Sequence, residues 1–317
     1  FASLLGVVLA GIVFTILGII TMTGMIASSD TETTVNENSV FFLDLNGTLS
    51  ERVEDNPFQA FMDEEFQAYG LDDILTSIKK AKEHENIKGI YLQTASLETS
   101  FASLEEIRHA LADFKESGKF IVAYADQYTQ NMYYLASIAD KVIVNPQGSI
   151  SWHGLASQPI FYKDLLKKVG VEMQIFKVGT YKSAVEPYMM DHMSPANRLQ
   201  MEALTGSLWN TLLNDVSQAR GIEVDKLQQY ADELTMVTAA DAVECGFIDE
   251  LLYEDQVNVI IADLIKGEES AEAEDEKAEE SKEDIDKEKF ESIRLGDYTS
   301  LATISSKKIS KNKVAII

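Results

Sequence analysis

The chain has 317 residues, 45% of them hydrophobic, and a formal net charge of −25. That length holds one large domain or two modest ones. The acidic balance argues against nucleic-acid binding, which needs basic patches, and the single cysteine, Cys245, excludes an intrachain disulfide. No CxxC or His/Cys cluster points to zinc, and the four histidines (His84, His109, His153 and His192) are scattered.

Residues 1–27 contain no charged side chain. A helix rises about 1.5 Å per residue, so this stretch is long enough to cross a hydrocarbon core of about 30 Å. It is longer than the apolar region of a cleaved signal peptide, and an uncleaved membrane anchor is expected. Asp30 and Glu32 follow the span and no basic residue comes before Arg52. A basic leader ahead of Phe1 would then place the body outside the cytoplasm. Ser28 to Ser39 has the composition of a flexible tether.

Beyond the tether, Val40 to Leu45 reads as a buried strand stopped by Asn46-Gly47. Residues 48–70 read as an acidic loop with aromatic residues Phe58, Phe61, Phe66 and Tyr69. A helix is expected over Leu71 to His84 and a strand over Ile87 to Gln93. The next helix is expected to be capped by Ser103, with Glu106 completing a capping box and Gly118 ending it. A strand at Phe120 to Tyr124, a helix at Gln130 to Ile138 and a strand at Lys141 to Asn145 continue the alternation. Such alternation predicts an α/β fold, a sheet with crossover helices.

Pro146 to Ile150 reads as a turn, with Ser149 and Ser151 as ordinary turn serines. Phe161 to Val169 is expected to be a short helix stopped by Gly170, and Val171 to Val178 a strand. Ser194 caps a helix that has Pro195 in its first turn and runs to Arg220, where Gly221 stops it. Val224 to Ala231 continues helical. Thr238 to Asp249 reads as a capped helix, a glycine stop and an edge strand, and Tyr253 to Ile265 as an amphipathic helix. Glu268 to Glu291 is dense in Glu, Asp, Lys, Ala and Ser, which leaves too little apolar surface to offset the entropy of ordering it. An acidic linker is expected there, with an acidic interaction tail as the alternative; no calcium-loop spacing is present.

The stretch Gly179-Thr180-Tyr181-Lys182-Ser183-Ala184-Val185-Glu186-Pro187 lies between the expected strand and the helix opening at Ser194. A lysine there can be held rigidly, and a buried lysine loses its proton readily. Ser–Lys pairs are a known variant of the hydrolytic triad, with lysine as the general base. The bland alternative is a surface lysine paired with Glu186, four residues on.

The run FKVGTYKSAVEPYMMDHMSPANR, Phe176 to Arg198, resembles the signal peptide peptidase A family, serine peptidase family S49, of the long, two-half type. So does YYLASIADKVIVNPQGSISWHG, Tyr133 to Gly154, and the resemblance extends from about Val40 to Tyr253 and includes the anchor. It implies a crotonase/Clp protease-like ββα superfold preceded by a transmembrane helix. It also implies a serine endopeptidase that degrades cleaved signal peptides and other apolar peptide segments, without a cofactor or metal. Lys182 matches the family's general base. In the family's catalytic half the helix that carries the nucleophile starts with a motif resembling Ser-Gly-Gly-Tyr-Tyr. Aligning its tyrosine pair with Tyr133-Tyr134 puts Gln130 at the serine position, with Thr129 one position off. A glutamine amide is no nucleophile, so this chain reads as the half that supplies the base.

The expected organisation is a transmembrane anchor at 1–27, a tether at 28–39 and a peptidase-like α/β domain at 40–265. An acidic linker at 266–292 and the start of a second half at 293–317 complete it, since Lys311 to Ile317 echoes Asn38 to Leu43. The resemblance implies a single-pass protein of the bacterial inner membrane, its body on the extracytoplasmic side and in contact with the lipid bilayer, assembled as a homo-oligomer, a tetramer. It further implies that this half alone is inactive. Two other readings are a membrane-anchored crotonase-like scaffold without catalysis and an acyl-CoA enzyme of the crotonase type.

Overall fold

Six strands lie side by side in the computed structural model, which describes residues 6, 10–18, 35–52, 69–272, 290–296 and 298. They are β1 (Ser39–Ser50), β2 (Tyr69–Gly70), β3 (Ile87–Glu98), β4 (Phe120–Ala125), β5 (Lys141–Val144) and β6 (Glu250–Leu251), in the order β2-β1-β3-β4-β5-β6. A seventh, β7 (Ser292–Arg294), pairs with β1. Every pairing among the described strands is parallel. Parallel strands need crossover connections, which is why helices separate them in sequence. They also need cover on both faces. In β4, Ile121, Ala123 and Ala125 join the larger core with Phe41, Leu104, Tyr133 and Phe247, while Phe120, Val122 and Tyr124 point to the other face. That second face is covered by Val257, Ile261 and Ile265.

The helices that follow β1 in the chain are α1 (Leu71–Glu83), α2 (Phe101–Lys115), α3 (Gln130–Ala136), α4 (Lys163–Lys168), α5 (Glu186–Met189), α6 (Pro195–Arg220), α7 (Val224–Asp232), α8 (Ala239–Glu244) and α9 (Glu254–Glu272). Local chemistry sets their ends. Thr129 caps α3 through Met132 N, Ser194 caps α6 through Asn197 N, and Thr238 and Asp241 form a capping box on α8. The α6 helix stops where Gly221 turns into the left-handed region at φ 68°, as its sequence predicts.

Four departures have physical reasons. β1 does not stop at Asn46-Gly47; the register shifts between Leu45 and Gly47, and Gly47 at φ 89° absorbs a bulge while the strand runs on. The cap of α2 is Ser100, not Ser103, because Ser100 is in extended conformation and accepts from Ser103 N one turn earlier than the Ser103/Glu106 pattern suggests. Val171 to Val178 is not a strand. It finds no neighbouring strand among the described residues, and Phe176 is 93% exposed and Val178 89%. Finally, Ser292 to Arg294, read from the sequence as the boundary of a second half, adds a parallel strand to this sheet.

Residues 10–18 are helical, but most of the apolar stretch 1–27 lies outside the described residues. Among the described residues no helix is long and apolar enough to cross a membrane. The tether's first residues, the aromatic residues Phe58, Phe61 and Phe66, the acidic residues 273–289 and the C-terminal echo at 311–317 also lie outside them.

Candidate functional site

From β5 the chain passes through a turn at Asn145 to Gly148 and returns alongside the start of α3, where Tyr128 and Ile150 form a parallel bridge. Ser149 and Ser151 are spent on this bridge through their backbone groups, Ser149 O accepting from Tyr128 N and Ser151 N donating to Tyr128 O. Trp152 is then drawn into the core, its indole donating to Leu227 O at 2.9 Å.

That path carries His153 and Gly154 past Gln130, which is buried in the first turn of α3. The Gln130 side-chain oxygen accepts from His153 N and Gly154 N, each at 3.0 Å, and its amide nitrogen donates to Gly154 O at 3.1 Å. Two adjacent backbone N–H groups thus converge on one oxygen, as they would on a peptide carbonyl. Beside them lies an open hollow of about 490 Å³, lined by Thr129, Gln130, Asn131, His153, Gly154, Leu155 and Ala156. Gln130 places an amide at the position where the family resemblance leads one to expect a nucleophile. Thr129 offers no substitute, because its hydroxyl is the cap of α3.

Lys182 is on a different segment. The unpaired chain through Phe176 and Val178 turns at Gly179, whose φ of 97° lies in the left-handed region that a side chain rarely adopts. The Gly179 Cβ position would stand 3.9 Å from Lys182 Cγ, so the turn folds the lysine stem back over the glycine. Ser183 to Val185 makes one turn of 3₁₀-helix and α5 follows. The carbonyl of Tyr181, just before the lysine, accepts from Gln200 Nε2 of α6 at 3.1 Å. Lys182 itself is exposed, and among the described residues its ammonium has no side-chain partner.

The expected alternative pairing of Lys182 with Glu186 does not form. Spacing of four residues juxtaposes side chains only on an α-helix, and here a 3₁₀ turn intervenes, with Lys182 at φ −86°, ψ 76°. Glu186 turns inward instead. Its side chain is 0% exposed and pairs with Lys177 Nζ at 3.4 Å. The same carboxylate accepts from Ser194 Oγ at 2.6 Å and Ser194 N at 3.1 Å, with a further side-chain bond to Asn197. Burial pushes the Glu186 carboxyl up, and the donors from Ser194, Asn197 and Lys177 outweigh it and hold the group below the usual carboxylate value. Neither Gln200 nor the Ser194–Asn197 partnership is visible as a spacing motif; the only sequence signal was an acidic residue close after the lysine.

Around this turn the surface is apolar. Ile160, Leu165, Val169, Val171, Met173, Phe176, Val178 and Tyr181 are all exposed. An open hollow of about 520 Å³ lies between α4 and α5, lined in part by Leu166, Val171, Met173, Ile175, Tyr188 and Met189.

Comparison with known proteins places these features in a family. The family model described as "Peptidase family S49" matches residues 113–266, which contain Gln130, Gly154, Lys182 and Glu186. Residues 113–266 carry a match to peptidase family S49. The chain is 38% identical over 215 residues to "Protease 4" of Salmonella typhi, an alignment covering 65% of this chain and 33% of that protein. To "Protease 4" of Haemophilus influenzae it is 36% identical over 188 residues, covering 57% of this chain and 31% of the other. To "Serine protease SPPA, chloroplastic" of Arabidopsis thaliana it is 26% identical over 231 residues, covering 73% and 33%. The chain therefore spans about a third of the length of these relatives. The S49 match takes in β4 to β6, Gln130 and the lysine turn; within it Lys182 is exposed, and the position expected for a nucleophile holds an amide.

Proposed function

We propose that this chain is the base-bearing half of a membrane-bound signal peptide peptidase whose Ser–Lys dyad is divided between two halves. The fold on this reading is the crotonase/Clp protease-like ββα superfold, with which the parallel sheet is compatible. The observation that carries the proposal is the setting of Lys182, an exposed lysine on an unpaired segment bordered by exposed Phe176, Val178 and Tyr181. An apolar segment of this size in water marks a surface that another body covers. A second half docked there would exclude water from Lys182, favour its neutral form and bring a serine to it.

In the reaction Lys182 takes the proton of that serine as it attacks the scissile carbonyl, and the leaving amine is protonated in turn. The same lysine then takes a proton from water, which releases the acyl group. Backbone N–H groups of the second half stabilise the oxyanion. No cofactor enters this chemistry. The substrates are cleaved signal peptides and other apolar segments, presented at the bacterial inner membrane to a body held on the extracytoplasmic side by the apolar stretch 1–27. Residues 40–265 form the domain of this half, 266–292 the linker and 293–317 the start of the second half, its first residues joining this half's sheet in β7, and the assembly is a homo-oligomer, with a tetramer expected. Residues 28–317 alone have no peptidase activity.

The test is cleavage of a signal-peptide-like substrate by the full-length gene product, wild type against Lys182→Ala. Loss of at least 10³-fold in kcat with an unchanged melting temperature supports the assignment. Retained activity in the variant, or rapid serine-dependent cleavage by residues 28–317 alone, refutes it.

A further inference from the structure

Between Gly154 and Ser194 the side chains are almost all exposed or half-exposed, and Glu186 is the exception. It is the only fully buried carboxylate among the described residues. A carboxylate is costly to remove from water unless it is paired and hydrogen-bonded. Its partners show what it joins. Lys177 lies on the chain that enters the lysine turn; Ser194 and Asn197 are the cap and first turn of α6. The carboxylate therefore closes the loop that runs from Lys177 to Ser194, with Lys182 inside it. The outer side of the loop is fastened separately, by Tyr162 N donating to Pro187 O at 2.6 Å and by the Tyr162 ring stacked on Tyr188 at 6.0 Å. A third tie, from Gln200 to the Tyr181 carbonyl, holds the peptide unit next to the lysine.

We propose that Glu186 is the positioning residue of Lys182, its buried carboxylate tying Lys177 to Ser194 and Asn197 so that the lysine turn has one conformation, with Gln200 fixing the adjacent carbonyl. This inference rests on the reading of Lys182 as the general base. Its physical basis is the steep dependence of proton transfer on geometry, since a misplacement of about 1 Å costs about 100-fold. An exposed lysine on a flexible stem cannot meet that requirement alone. The tie also accounts for the position of the carboxylate. Neutralised by Lys177 and buried, it orders the loop without making an ion pair with Lys182, which would hold the base in its protonated form.

The experiment uses the full-length gene product and an apolar peptide substrate, comparing wild type, Lys182→Ala, Glu186→Gln and Gln200→Ala by kcat, KM and thermal melting, with kcat corrected for the folded fraction at the assay temperature. Glu186→Gln keeps the side-chain volume and leaves Lys177 without its carboxylate. Its kcat per folded enzyme is expected to fall at least tenfold with KM within threefold. Gln200→Ala removes the tie to the Tyr181 carbonyl; its kcat is expected to fall severalfold with KM unchanged and the melting temperature within about 2 °C of wild type, roughly the effect of one partly exposed hydrogen bond. An inactive Lys182→Ala enzyme beside a Glu186→Gln enzyme with wild-type kcat overturns this inference and leaves the base assignment standing. A Glu186→Gln loss that follows the folded fraction overturns it equally. An active Lys182→Ala enzyme overturns both.

Discussion

Replacing Gln130 by alanine tests what a buried amide does at the position expected for a nucleophile. The side chain makes three hydrogen bonds to the backbone of His153 and Gly154. A neutral hydrogen bond contributes about 0.5–1.5 kcal/mol net, so the three together would be worth about 3 kcal/mol if the freed groups stayed dry. They do not stay dry, because the hollow of about 490 Å³ next to them is open and admits water. Re-pairing with water recovers part of the loss, and the expected destabilisation is about 2 kcal/mol. For a chain of this size that lowers the melting temperature by about 3 °C.

The assay is thermal or urea unfolding followed by tryptophan fluorescence, for which Trp152 is a reporter one residue before His153. Hydrogen exchange at the His153 and Gly154 amides gives the local readout, and both should lose protection in the alanine variant. Gln130→Glu is the discriminating control. Its carboxylate can still accept from both amides but confronts the Gly154 carbonyl without a donor, so protection should persist while stability falls. A melting temperature within 1 °C of wild type, or unchanged protection in Gln130→Ala, would refute the view that this amide closes the site by mimicking a peptide unit.

Two further outcomes follow from buried charge. Arg108, with a side chain 5% exposed, donates to Tyr134 O, to Ser137 Oγ at 2.8 Å and to Asp215 O at 2.9 Å, joining α2 to α3 and α6. Arg108→Met should cost about 3 kcal/mol in urea unfolding, because it strands polar groups in the core. The Glu186 tie should depend on pH in one direction only. A carboxyl held below its ordinary value stabilises the fold fully above the unfolded value of about 4.3 and loses that contribution as pH falls through the lowered value. Exchange of the Ser194 amide should therefore accelerate in acid in wild type, relative to a core amide, and show no such acid step in Glu186→Gln.

The alternation of strands and helices was legible because each crossover is a local event with local punctuation. Ser194, Pro195 and Gly221 bound α6 wherever the helix goes. Punctuation misled where a longer-range partner overrode it. At Asn46-Gly47 the paired β3 carries β1 through a dipeptide that would turn an isolated strand. At Val171 to Val178 the error ran the other way, since a β-type pattern needs a neighbour to pair with and the described residues supply none. The site divides along the same line. The expectations for Lys182 and Gln130 rest on contiguous runs of sequence. Gln130's grip on His153 and Gly154, Glu186's on Ser194 and Gln200's on Tyr181 join residues brought together by the fold rather than by a repeating spacing. Those three contacts carry different loads. The first closes a pocket beside α3. The other two hold a lysine outward, on an exposed apolar surface. A lysine so firmly tied and yet so exposed is what the proposed completion of the site by a second half requires.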